Sequence, residues 1–259
     1  MPGGKPEDGA STAECGDALE TAMTGRPPGA APPESTLEHD AERVRVLEEV
    51  VKGYADHVED DPEAMPEEIR RNMANALAFY ADDIHDIIGL HGDFSTRELS
   101  TRPNDVDVDR ATMADFIRGI AEDAEAFRMV RESHLALVAE GIRGLGREDF
   151  TEGSDEAQGV ALVGGNTMGV LDRIGAEALG ARHDDEAGRK EWIEAYGKQG
   201  TGGNPEVFFS PRRNSGYLED MFRERADRLG ALTEVPGNGD AGLHPKITEV
   251  IRTEYRTAS

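Results

Sequence analysis

The sequence has one cysteine, one tryptophan and five lysines in 259 residues, and no uninterrupted apolar run long enough to cross a bilayer. Each shortage excludes something. With Cys15 alone, an intramolecular disulfide framework and a multi-cysteine zinc site are ruled out. Aromatics make up 5% of the chain and hydrophobic residues 37%, so a core has to be built from Leu, Ile, Val, Met and Ala. Only 28 Lys and Arg stand against 53 Asp and Glu, for a net charge of −25. That balance argues against binding nucleic-acid phosphates or an anionic membrane, both of which need a basic surface. It leaves solubility, a basic protein partner, mimicry of nucleic-acid charge, or adaptation to high salt. No basic stretch leading into an apolar run is found near the first residues, so the expected location is the cytoplasm, or outside the cell by a leaderless route.

What the chain does have is helical periodicity. Residues 1–36 are rich in Gly, Pro, Ala, Ser and Thr, and too poor in large apolar groups to offset their ordering entropy. A disordered arm is expected there; the short run from Asp17 to Met23 is at most a transient helix, or one formed on binding. From Leu37, the positions Val44, Leu47, Val51, Tyr54 and Val58 follow heptad-like steps. The short acidic turn after Val58 predicts an αα-hairpin with the next helix. That helix, residues 65–88, starts with Pro66, Glu67 and Glu68, which suit the first turn and the positive end of the dipole. Its stripe is Ile69, Met73, Leu77, Tyr80, Ile84, Ile87 and Ile88. Asp82 and His85 have the spacing of carboxylate–histidine pairs in helical di-metal sites. On a regular wheel they fall off the stripe, so both are expected in water and no metal site is assigned.

Residues 90–108 form a long connection in which His91, Asp93 and Asp107 make no calcium-loop pattern. Residues 109–145 read as one long helix with Met113, Phe116, Ile120, Phe127, Leu135, Val138 and Ile142 on one face. Arg131 and His134 fall inside that stripe, and a desolvated Arg or His needs a partner. Asp83 is a candidate. The pair reads either as a structural polar layer or as part of a binding or active site, and the absence of a nucleophile in the same motif favours the first.

Residues 157–171, AQGVALVGGNTMGVL, carry no charge and four glycines. No phosphate-loop pattern is present, so the stretch reads as a helix whose neighbours come very close, the most buried of the fold. Trp192, Ile193 and Tyr196 lie on a charged amphipathic helix, with Trp192 as a core anchor. In the irregular segment 201–216, Val207, Phe208 and Phe209 need an apolar groove, on this chain or on a partner. Two more amphipathic helices come after it, around Leu218, Met221, Phe222 and Leu229, and around Ile247, Val250 and Ile251.

In order, the chain holds a charged helix, then DDPEAMPEEIRRNMANALAFYADDIHDIIG, DRATMADFIRGIAEDAEAFRMVRESHLALVAEGI, VGGNTMGVLDRIGAEAL and KEWIEAYGK. Over residues 38–200 this pattern resembles the uncharacterised helical domain found downstream of WXG100-like modules in actinobacterial proteins linked to type VII secretion and polymorphic toxins. The resemblance implies a helical scaffold or the helical region of a secreted effector, with no catalytic residues to carry over.

The sequence therefore predicts an all-α fold, a multi-helix bundle with a long central helix. Its parts are the disordered arm 1–36, a bundle 37–200, and a segment 201–259 whose two helices pack on or extend the bundle. The predicted function is non-enzymatic protein interaction, through the acidic surface or the C-terminal apolar segment, with a basic or secretion-linked protein. Candidate binding residues are Arg131, His134, Val207, Phe208 and Phe209; no catalytic residue, metal site or cofactor is assigned. The alternatives are an enzyme whose site gathers scattered His, Arg and carboxylate groups, and an acidic nucleic-acid mimic that inhibits a DNA-binding protein. Oligomeric state is not readable.

Overall fold

A computed structural model describes residues 11–31, 39–58, 64–90, 105–182, 185–197, 209–234 and 241–259. Among these the fold is all-α, with eleven helices and one ribbon of two very short strands. The axis is α8 (Asp155–Gly180), capped by the Ser154 hydroxyl, which accepts from the Ala157 amide. Residues 164–172 of α8 are buried without a break. Around it pack α4 (Ala81–Gly89), α5 (Arg110–Ala121), α6 (Ala124–Gly144), the short α7 (Arg147–Glu152), α10 (Pro211–Arg228) and, most extensively, α11 (Pro245–Ala258). One continuous apolar core runs from Met23 to Ala258, so the last two helices share it.

The glycines of α8 set how near its neighbours come. A Cβ on Gly169 would lie 2.7 Å from the Tyr255 carbonyl oxygen of α11, and one on Gly175 would lie 2.5 Å from the Phe209 ring. A Cβ on Gly159 would meet nothing within 4 Å. Hence opposite outcomes are expected for the same substitution in one helix. Gly169→Ala pushes α11 away at a cost of roughly 1–3 kcal/mol, and Gly159→Ala stabilises by up to about 1 kcal/mol through helix propensity. Urea midpoints of the two variants check this, and equal shifts would show that the α8–α11 contact is not tight.

Two expected helices are each broken. The first divides at Tyr80 into α3 (Glu67–Phe79) and α4, where Tyr80 has φ −100° and ψ 24°. The Tyr80 hydroxyl donates to the Met23 carbonyl at 2.6 Å, which ties the break to the N-terminal segment. The long helix divides at Asp123, which is extended at φ −105° and ψ 113° and accepts the amides of Glu125 and Ala126. An N-cap has outcompeted helical continuation there.

Part of the expected disordered arm is also corrected. Residues 1–10 and 32–38, Leu37 among them, lie outside the described residues. Between them α1 (Thr12–Thr24) has a Ser11–Glu14 capping box and a left-handed Gly25 at its end. It is stable because it docks. Gly16 lets it approach Ile69 and Asn72 of α3, Met23 is fully buried, and Asn72 donates to Asp17 and Glu20.

The αα-hairpin expectation is corrected too. The main contacts of α2 (Ala41–Val58), whose Val44, Leu47 and Val51 are buried, are with α5 and α1, while α3 packs chiefly on α1 and α6. The remaining elements are α9 (Glu186–Gly197), beside α6, and the antiparallel pair β1 (Thr233–Glu234) and β2 (Ala241–Gly242). No helix among the described residues is long and apolar enough to cross a membrane.

Candidate functional site

Arg131 and His134 project from one side of α6 into the interior, but toward different partners. Arg131 Nε donates to Asp172 Oδ1 of α8 at 2.7 Å. The other carboxylate oxygen accepts from Asn214 Nδ2 of α10 at 2.6 Å and from the Tyr255 hydroxyl of α11. Four helices therefore converge on a carboxylate that is 1% exposed. Burial raises the Asp172 pKa, and Arg131 with the hydrogen bonds pulls it back only part of the way. Burial works against the charge of Arg131 as well, but Asp172 more than compensates, and its pKa is raised. Tyr196 of α9 lies in the field of the same pair, and burial pushes its phenol up to about 12.

His134, with no exposed surface, sits one turn further along α6 against His85 of α4, ring centroids 5.7 Å apart and planes at 21°. Among the described residues, neither nitrogen of His134, nor Nδ1 of His85, has a hydrogen-bond partner. Burial pushes His85 down to about 4; burial, with His85 adding to it, takes His134 well below the ordinary histidine value. Both rings are neutral at pH 7. The backbone beside them is fixed by α8: Asn166 Nδ2 donates to the Gly89 carbonyl at 3.0 Å, and Thr167 Oγ1 to the His85 carbonyl at 3.2 Å.

The structure thus brings together Arg131 with Asp172, and His134 with His85. Two expectations fall. Asp83 does not serve Arg131 or His134; its carboxylate faces His39, with Nε2 to Oδ2 at 3.4 Å. His85 does not stand in water: α4 packs on α5, α6 and α8 at once, so more of it than the Ile84, Ile87 and Ile88 stripe is covered, and the ring is half-buried against His134.

No protein-family model, curated protein or solved structure matches this chain. A general base has to reach solvent or substrate, and the unpartnered nitrogens of His134 do not. Among the described residues no three His, Cys, Asp or Glu side chains are placed to hold a metal ion.

Phe209 has found its groove on this chain. It packs on Trp192, Tyr196 and Phe127 with ring centroids 5.4–6.4 Å apart, is 9% exposed, and lies over Gly175. Trp192 anchors the cluster by donating Nε1–H to the Ala121 carbonyl at 3.0 Å, which fixes α9 against the α5–α6 junction. Val207 and Phe208 lie outside the described residues, as do His91 and Asp93. Asp172 and Tyr255, the residues that complete the polar centre, were not singled out from the sequence as partners.

Proposed function

We propose that this chain is a non-enzymatic helical interaction module that binds a basic protein through its acidic surface. One observation carries the reading: the polar side chains suited to chemistry are closed inside the bundle, whereas the surplus of acids is not. Asp172 is covered by its three donors and His134 is fully buried, so neither of these centres offers the enzyme alternative a solvent-reachable base. Phe209 is taken up by the chain's own aromatic cluster, which favours the acidic surface over the C-terminal apolar segment as the contact. The net charge of −25 steers a basic partner and makes the encounter dependent on ionic strength. The sequence resemblance supports the finer reading, a partner from a secretion or toxin system.

The test is capture from a native lysate of the source organism on the immobilised chain, eluted with a salt gradient. Basic proteins that elute at moderate salt and rebind when purified are expected, because screening shortens the reach of exposed charges. A DNA-binding partner competed by duplex DNA would favour the nucleic-acid-mimic reading instead. Absence of any rebinding partner at low salt would remove the proposal.

A further inference from the structure

Against the acidity of the whole, one groove carries the opposite charge. It lies between α10 and α11, is closed at one end by β2, and encloses about 640 Å³. Arg223, Arg252 and Arg256 line it, together with Glu219 and Glu249. Glu219 is largely buried and committed: both of its oxygens accept from Arg252, at 2.6 and 2.9 Å. Arg223 and Arg256 make no hydrogen bond or ion pair among the described residues. The groove therefore holds an excess of exposed guanidinium charge.

The register of the two helices gives that charge a spacing. Asn214 and Tyr255 meet on Asp172, and five residues further along α10, Glu219 meets Arg252, three residues earlier on α11. The helices are antiparallel. Continued by one turn, this pairing sets Arg223 level with Thr248, so that Arg223, Arg252 and Arg256 succeed one another at about one helical turn, roughly 5–6 Å apiece along the groove. An extended peptide places alternate side chains on one face roughly 6.6 Å apart. The stretch of α11 that lines the groove, Pro245 to Arg256, is about 16 Å long, the length of some five extended residues.

We infer that the α10–α11 groove is a docking site for an extended acidic peptide segment of a partner protein, with carboxylates on alternate residues meeting Arg223, the Nη1 edge of Arg252 that Glu219 leaves free, and Arg256. Single, spaced negative charges suit it better than a phosphate, because Glu219 and Glu249 stand among the guanidiniums and repel a compact dianion. Guanidinium suits carboxylate in geometry as well as in charge. The site is separate from the acidic surface proposed for a basic partner, so either reading survives the loss of the other.

The full chain is titrated, with fluorescence anisotropy as the readout, into a rhodamine-labelled short peptide alternating Glu and Ser, and into the same peptide with Gln for Glu. Because the protein is itself strongly anionic, non-specific attraction does not produce binding of an acidic peptide. Binding of the Glu peptide alone is expected, weakened about tenfold in the Arg223→Ala/Arg256→Ala double variant and unchanged in Arg45→Ala on α2. Thermal melts of the variants confirm that they are folded. The inference is overturned if the Glu peptide does not bind, if the double variant binds it as well as the parent, or if inorganic phosphate displaces it at equal concentration.

Discussion

Replacing Arg131 with methionine is expected to cost roughly 3–5 kcal/mol of stability. The side chain keeps much of its length and apolar stem, so the loss is not one of packing. The change falls on Asp172, 1% exposed, which keeps the neutral donors Asn214 and Tyr255 but loses the cationic donor Arg131. The partial exposure of Arg131, 18% of its side chain, places the expectation toward the lower end of the range. Two further measurements separate this cause from a simple cavity. In the Arg131→Met background, Asp172→Asn should restore a good part of the loss, since the amide is still able to accept from Tyr255 and no longer carries an unpaired charge. Acidification should also narrow the gap. Burial already raises the Asp172 pKa, and without Arg131 it rises further. A carboxyl whose folded pKa lies above its unfolded value gains stability as pH falls through the folded pKa. A deficit that is equal at all pH values and is not relieved by Asp172→Asn would mean that the pair is not the source.

How much of this was legible in the sequence depends on whether the information was local. The run 157–171 was legible: an uncharged stretch with Gly164, Gly165 and Gly169 admits little but a close-packed helix, and Gly169 does meet the Tyr255 backbone. Trp192 as an anchor was legible for the same reason, since its one N–H needs an acceptor wherever it is buried, and finds Ala121. The helix breaks were not. Apolar residues recur on both sides of Tyr80 and of Asp123, so periodicity runs through each break unchanged. The competing signal at Asp123 is its side chain, able to cap the start of α6; at Tyr80 it is a hydroxyl that needs Met23, a residue 57 positions away.

The error over His85 arises from the neighbours of α4, not from its phase. The stripe does continue through the break, with Ile84, Ile87 and Ile88 buried where a continuous wheel puts them, but α5, α6 and α8 all pack on α4 and cover the flank that carries His85 as well. Asp172 was missed for another reason. It stands seven residues after Gly165 and four after Met168, on the face those residues bury, but its partner lies 41 residues earlier on a different helix. The face was readable; the pairing was not. The first helix, α1, shows the opposite case. Its Ser11–Glu14 box and Gly25 were local signals, and the decisive energy came from Met23 and Gly16 docking on α3, which no property of residues 11–25 contains.

The two stacked histidines give the fold a pH dependence of predictable sign. Both have folded-state pKa values below the ordinary 6.5, His85 at about 4 and His134 well depressed, because burial disfavours the imidazolium. The unfolded chain therefore takes up protons first. Stability is complete above about pH 6.5 and is lost as pH falls from there toward 4, below which His85 contributes no further slope. For His85 alone the total is roughly 3 kcal/mol, of which roughly 2 kcal/mol has gone by pH 5. His134 adds loss in the same direction, since neither of its nitrogens has an acceptor to stabilise a second proton. Two effects oppose this: the surface acids repel one another less as they are neutralised, and Asp172, with its raised pKa, gains stability on acidification. The measurement is therefore a difference. Urea midpoints of the parent and of His85→Leu/His134→Leu are compared at pH 7 and pH 5. The parent should lose stability relative to the double variant between the two, because leucine carries no proton to take up on unfolding. If the two proteins respond to pH alike, the imidazoles are not held neutral, and the stack is open to water or paired with an acid.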